Sequence, residues 1–215
     1  MDNNLLFAGL IMVLFLFLLY FTGFFTGIDE TDYSDLESSE LGQAVFAGGC
    51  FWCMEHIFEG VCGVEEVVSG YIGGSIENPT YELVSSGSSG HYEAVKIYFD
   101  PAKITYPELL DVFWRSIDPT DPGGQFHDRG PQYRSAIFYL DEEQKKQAYE
   151  SRKKLNTSMV FDKPIVTELL PYTVFYFAEI YHQDYYKKTR LGLTPTARAR
   201  GARSLFPGSG IRLIN

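Results

Sequence analysis

The chain has 215 residues, 45% of them hydrophobic, 21% charged and 16% aromatic, with a net charge of −10. That acidity excludes the concentrated basic face a nucleic-acid binder needs, and three cysteines are too few for a disulfide scaffold at this length. The length accommodates one packed domain and an appendage.

Residues 5–25, LLFAGLIMVLFLFLLYFTGFF, carry no charge. A bilayer crossing takes roughly 20 apolar residues, and neither a basic start nor a small-residue cleavage site marks a removable signal peptide. A single-pass N-terminal anchor is expected over residues 1–27. The first Lys or Arg of the chain is Lys96, so no nearby charge orients the anchor. The stretch that follows, IDETDYSDLESSE, is repelled by an anionic cytoplasmic leaflet, which favours a domain outside the cytoplasm. Residues 28–42 are expected to form an acidic, flexible linker.

From Gln43 the pattern is that of a packed domain. QAVFAGG reads as a short strand ending in a glycine turn, CFWCMEHIFEG as a helix closed by Gly60, and VEEVVSGYIGG as a second strand. NPTYELVSSGSSGH reads as a Gly-rich loop, HYEAVKIYF as an alternating strand and TYPELLDVFWRSI as an amphipathic helix. A second Gly-rich loop, GGQFHDRGPQYRS, leads into the strand RSAIFYL, and Asp141 caps the charged helix EEQKKQAYESRKKL. PIVTELL and VFYFAE read as further strands before YHQDYYKK. Alternating strands and helices without a repeat predict one α/β or α+β domain over residues 43–188. From Lys187 the chain holds seven basic residues and no acidic one, so a basic, poorly ordered tail is expected over residues 189–215.

Two of the three cysteines lie within GGCFWCMEH. Directly after a glycine turn, Cys50 falls at a helix start, where the positive end of the dipole favours a thiolate. Cys53 shares its helical face and is within reach as a resolving thiol. Cys50, Cys53 and His56 also form a zinc-like donor series, although only Cys62 remains as a fourth ligand. A thioredoxin-like redox pair fits the same strand–turn–helix context. Phe51 and Trp52 fill the gap, as core packing or as the wall of an apolar pocket. In HYEAVKIYF, Val95, Ile97 and Phe99 share one strand face, and Glu93 falls on it with them. A carboxyl aimed at a core keeps its proton near neutrality, the profile of a general acid; at the strand end it can instead reach solvent. Tyr81 and Tyr133 offer phenols able to polarise an oxygen, and Asp128 offers an acceptor for an amide proton.

GCFWC at 49–53, GYIGG at 70–74, NPTYE at 78–82, GHYEAV at 90–95, DRGPQYRSAIF at 128–138 and YHQDYY at 181–186 together resemble the peptide methionine sulfoxide reductase A family. The resemblance covers residues 43–188. It implies one mixed-sheet domain with a ferredoxin-like core and flanking helices, and thiol-dependent reduction of methionine S-sulfoxide, protein-bound and free. It places the nucleophile on Cys50, the methyl-binding wall on Phe51 and Trp52, and the proton donor on Glu93. Tyr81 and Tyr133 match the oxygen-binding phenols, and Asp128 matches the residue that holds the substrate backbone. No metal or organic cofactor is implied, and the chain is expected to act as a monomer on oxidised proteins, with thioredoxin or another dithiol as reductant. Many members carry resolving cysteines near the C-terminus; this tail has none, and Ser85 stands where some relatives have cysteine. The resolving thiol is therefore expected to be Cys53, with Cys62 as the other choice. A C-x-x-C thiol–disulfide oxidoreductase is the alternative activity.

Overall fold

The computed structural model describes residues 33–189. The expected anchor, most of the basic tail and the first part of the acidic stretch lie outside the described residues. Among the described residues, no helix is long and apolar enough to cross a membrane.

A helical turn, α1 (Ser34–Glu37), precedes β1 (Gly42–Gly48) and the helix α2 (Phe51–Glu59). β2 (Val64–Ile72), the short helix α3 (Tyr81–Ser85), β3 (Tyr92–Phe99) and α4 (Tyr106–Ser116) follow. Next come a two-residue hairpin, β4 (Gly124–Gln125) and β5 (Asp128–Arg129), and a 3₁₀ turn (Pro131–Tyr133). β6 (Ser135–Tyr139), α5 (Glu142–Thr157), β7 (Glu168–Pro171), β8 (Tyr176–Phe177) and α6 (Tyr185–Thr189) complete the domain. The main sheet has the order β7-β6-β1-β3-β2-β8 and is antiparallel except between β6 and β7. Its four central strands, β6-β1-β3-β2, with the crossover helices α2 and α4, are the expected ferredoxin-like unit.

Local sequence sets the element ends. The Glu108 carboxylate accepts the N–H of Thr105 at 2.8 Å ahead of α4, and Asp141 accepts that of Gln144 at 2.7 Å at the start of α5. α2 ends just before Gly60, as expected, but with φ −74° the glycine makes no left-handed cap. The sheet separates two apolar layers. Phe46, Val95, Ile97 and Phe99 pack beneath α2, α4 and α5, whereas Val45, Ala47, Tyr92 and Ala94 pack against Phe138 and Phe175 on the opposite face. All eight residues of β3 are buried, so both sets of its alternating side chains face packed layers.

Three expectations change. NPTYELVSSGSSGH is not a loop throughout: Thr80 accepts the N–H of Leu83, Val84 is fully buried, and the residues Tyr81–Ser85 form α3. PIVTELL and VFYFAE yield only the short strands β7 and β8. The described part of the acidic linker is docked rather than flexible. Glu37 in α1 accepts hydrogen bonds from Lys96 Nζ at 2.5 Å and from the Tyr98 hydroxyl at 2.7 Å. The Lys96 side chain is 3% exposed, so its charge depends on that carboxylate for a partner.

Candidate active site

The turn from β1 into α2 places the thiols. Gly49 has φ +93°, and a Cβ there would lie 2.7 Å from Gln125 Cβ, so the turn needs glycine. Cys50 becomes the N-cap of α2, its carbonyl accepting the N–H groups of Cys53 and Met54 at 3.1 and 3.3 Å. Cys53 follows within the first turn, and the two reduced, half-buried cysteines hydrogen-bond through their thiols. The expectation of a depressed Cys50 pKa is reversed. The hydrogen bond to Cys53, burial and the charge of the neighbouring Glu93 raise the Cys50 thiol above its ordinary value. The same hydrogen bond lowers Cys53, so the pair's thiolate rests there. The helix dipole is outweighed by groups closer to the sulfur.

Glu93 does not reach solvent: it is 2% exposed, opposite Tyr71 in the β2–β3 register. Its Oε2 accepts the first free N–H of α2, from Phe51, at 3.1 Å. That bond favours the carboxylate, but burial dominates, reinforced by Asp128 and Cys53, and the pKa rises to about 8. At neutral pH the side chain therefore retains its proton.

Tyr81 opens α3 and Tyr133 closes the 3₁₀ turn. Burial raises both phenols, with Glu93 the next cause and Cys50 also contributing to each, so both stay protonated. Asp128 lies in β5, where burial raises its carboxyl. The Phe51 ring is buried and stacks with Tyr81 at 6.4 Å, while Trp52 stacks on Tyr185 at 3.8 Å. His56 packs on Tyr186, and Cys62 is exposed.

Sequence reasoning assigned no role to the segment 179–185, yet it closes the pocket. His182 is 2% exposed and neutral through burial, with Phe51, Trp52 and Tyr81 ring centres 5.2, 5.5 and 4.3 Å away. Glu179 accepts the Tyr71 hydroxyl at 2.8 Å and the Tyr81 N–H at 2.9 Å, which ties α3 to this segment. The string YHQDYY was the only available signal, because these contacts join residues about a hundred positions apart.

A thiol pair at a helix start, facing a protonated carboxyl and two phenols and walled by aromatic rings, defines a thiol-dependent oxidoreductase with an apolar substrate pocket. Comparison with known proteins narrows that class. Residues 42–205 match the family described as peptide methionine sulfoxide reductase. The peptide methionine sulfoxide reductase MsrA of Halalkalibacterium halodurans is 57% identical over 148 residues, 69% of this chain and 84% of that protein. The enzyme of the same name from Ligilactobacillus salivarius is 59% identical over 145 residues, 67% of this chain and 84% of its own. Among solved structures, methionine sulfoxide reductase A of Corynebacterium diphtheriae superposes with a TM-score of 0.70 at 31% identity, covering 75% of this chain and 81% of that one. Reduced Mxr1 of Saccharomyces cerevisiae gives 0.68 at 28% identity, covering 73% and 90%. This chain belongs to the peptide methionine sulfoxide reductase family.

Proposed function

We propose that the chain reduces methionine S-sulfoxide, in proteins and as the free amino acid, with Cys50 as nucleophile and Glu93 as proton donor. The observation that carries this reading is the buried Glu93, bonded to the Phe51 N–H and protonated up to about pH 8 beside Cys50. Neutral Glu93 does not repel charge on Cys50, and Cys53, whose pKa the shared hydrogen bond lowers, takes the Cys50 proton as the attack begins, so the charge passes to Cys50. The thiolate attacks the sulfoxide sulfur while Glu93 delivers its proton to the oxygen, which Tyr81 and Tyr133 hold by hydrogen bonds. Phe51 and Trp52 wall the methyl group, and Asp128 accepts a backbone N–H of the substrate. The oxygen passes to Cys50, leaving methionine and a sulfenic acid. Cys53 condenses with the sulfenic acid, water leaves, and a Cys50–Cys53 disulfide forms. Helix α2 opens locally to bring the sulfurs to bonding distance. Thioredoxin or a similar dithiol then restores both thiols. No metal or organic cofactor enters this scheme.

The same reading keeps residues 5–25 as a single-pass anchor with the catalytic body outside the cytoplasm, acting as a monomer on membrane-exposed or soluble oxidised proteins. The acidic composition of 28–42 and the apolar run before it support that arrangement.

The test incubates the full-length chain with each sulfoxide epimer and dithiothreitol. Only the S epimer is expected to yield methionine, and Cys50→Ser is expected to reduce turnover to background. Turnover by the Cys50→Ser variant would sink the assignment. Cys53→Ser is expected to complete one turnover but to lose recycling by thioredoxin; unchanged recycling would move the resolving role to Cys62 or to direct reduction of Cys50.

A further inference from the structure

The string YHQDYY closes the pocket, and its middle two residues fix how that segment is held. β2 pairs with β8 only at Gly70 and Tyr71, so the ladder has ended at Ser69. Ala178 still donates its N–H to the Ser69 carbonyl at 2.9 Å. One side chain supplies the rest. Gln183 Oε1 accepts the Ser69 N–H at 2.8 Å, and Gln183 Nε2 donates to the carbonyls of Ser69 and Ala178, each at 2.9 Å. The amide stands in for a peptide group of the missing strand and closes residues 178–183 onto the edge of β2. Gln183 is 7% exposed, so little water competes for these bonds.

The next residue is held from the other side. Asp184 has φ +53°, a left-handed turn that aspartate tolerates better than most residues, and its N–H donates to Glu55 Oε1 at 3.0 Å. Glu55 lies four residues after Phe51 and three after Trp52, so it shares their side of α2. A second tie runs outside, where Lys187 Nζ lies 2.9 Å from Glu59 and 2.6 Å from Asp184. The Lys187 side chain is 53% exposed and solvent screens that pair, which leaves the buried bond to Glu55 as the stronger hold. Between the two attachments sits His182, 5.2 Å from the Phe51 ring centre, and directly after them comes Tyr185, stacked 3.8 Å from Trp52. One helix thus carries two rings of the wall together with the acceptor that sets how close the facing rings come.

We propose that Glu55 and Gln183 are positioning residues for the substrate pocket, holding the segment that carries His182 and Tyr185 against Phe51 and Trp52. The proposal rests on the reading that Phe51 and Trp52 wall the methyl group of the substrate. Loss of either attachment leaves buried backbone groups unpaired, of Asp184 in one case and of Ser69 and Ala178 in the other. The segment then leaves the closed arrangement for an open one, which binds the apolar end of the substrate less well. The thiols sit at the start of α2 and Glu93 on β3, and neither depends on these bonds. Binding is therefore weakened while the chemical step is kept.

Glu55→Leu in the full-length chain removes the acceptor for the Asp184 N–H, whereas Glu55→Gln retains it. The test measures the single-turnover rate, without reductant, against the concentration of a peptide S-sulfoxide. Glu55→Leu is expected to raise the half-saturating concentration about tenfold and to leave the limiting rate within about twofold. Glu55→Gln is expected to restore the wild-type value. Gln183→Leu breaks the other attachment and is expected to act in the same way, which keeps the proposal open to refutation if Glu55→Leu does not fold. A second readout is tryptophan fluorescence. The chain has two tryptophans and Trp114 is 1% exposed, so stronger acrylamide quenching in either leucine variant reports Trp52 losing Tyr185. An unchanged half-saturating concentration in the folded leucine variants, a rise that Glu55→Gln shares, or a fall confined to the limiting rate overturns the positioning role. Quenching needs no turnover, so the two readings fail separately. A wild type that reduces no S-sulfoxide sinks the proposed reaction, and unchanged Trp52 quenching sinks the positioning role on its own.

Discussion

Two glutamates lie on opposite sides of the same helix start, and their surroundings separate catalysis from packing. Glu93 on β3 is 2% exposed and Glu55 on α2 is 1% exposed; burial raises each to about 8. Each also accepts one backbone N–H, from Phe51 at 3.1 Å and from Asp184 at 3.0 Å. The neighbours differ. Glu93 shares its space with both thiols, two phenols and Asp128, whereas Glu55 is enclosed beneath the segment leading into α6 and its Oε2 has no hydrogen-bond partner. A raised carboxyl pKa therefore records desolvation and by itself marks no chemistry. The role follows from what stands within reach of the proton.

The largest expected effect breaks that pairing at its functional end. Glu93→Gln removes the proton but keeps the shape and an acceptor for Phe51, and it is expected to lower the single-turnover rate about 100-fold or more. Glu55→Gln is expected to stay within about twofold of wild type. In wild type the rate should fall as pH rises through about 8, where Glu93 ionises, and this limb should be absent from the residual activity of the Glu93→Gln variant. Equal losses in the two variants, measured by rapid-quench assay, would show that Glu93 is only a packing group.

Glu93 was legible in the sequence because strand alternation is a local rule: Val95, Ile97 and Phe99 fix the face, and Glu93 follows by parity. The same rule says nothing of what covers the other face, which carries Lys96: the segment around Phe175 and the helical turn α1 do so only in the folded chain. The Cys50 thiol pKa was misjudged for a similar reason. The dipole of α2 is local, while the opposing carboxyl comes from a strand 42 residues away in sequence. Glu179 and His182 were illegible as parts of the pocket, since their contacts to Tyr71, Tyr81 and Phe51 exist only once the chain returns to the edge of the sheet. Helix caps at Thr105 and Asp141, by contrast, need only a few consecutive residues, and the starts of both helices fall where the sequence puts them.

A second, smaller effect sharpens the likeness of the two carboxyls. Both are ordinary acids near 4.5 in an unfolded chain and titrate at about 8 when folded. Between those values the folded chain holds protons that the unfolded chain has lost, so stability falls as pH rises from about 4.5 to about 8. Each glutamate contributes at most about 1.4 kcal/mol per pH unit to that slope. Glu93→Gln and Glu55→Gln should each flatten it by about one proton across roughly pH 5–7, to a similar degree, in denaturant titrations at several pH values. A variant that left the slope unchanged would show that its carboxyl is ionised in the fold.

Glu37 supplies the opposite sign on the far face of β3. Burial acts to raise its carboxyl, but the hydrogen bonds from Lys96 and Tyr98 outweigh it and hold the group below its ordinary value. Its contribution is thus present above the unfolded pKa and is lost as pH falls through the folded one. Glu37→Gln leaves the buried Lys96 ammonium without its carboxylate, and because Glu37 is itself 39% exposed the cost is expected to be about 1–2 kcal/mol at pH 7. That cost should shrink as pH falls through the folded Glu37 pKa, which lies below the ordinary carboxylate value, because the wild-type carboxyl then also becomes neutral. Glu37→Leu combined with Lys96→Met should recover most of the loss, since an apolar pair needs no compensating charge. Wild type and both variants should turn over the S-sulfoxide at the same rate, because this ion pair lies across the sheet from the thiols. A rate loss that tracks the stability loss would instead show that β3 transmits strain from Lys96 to Glu93.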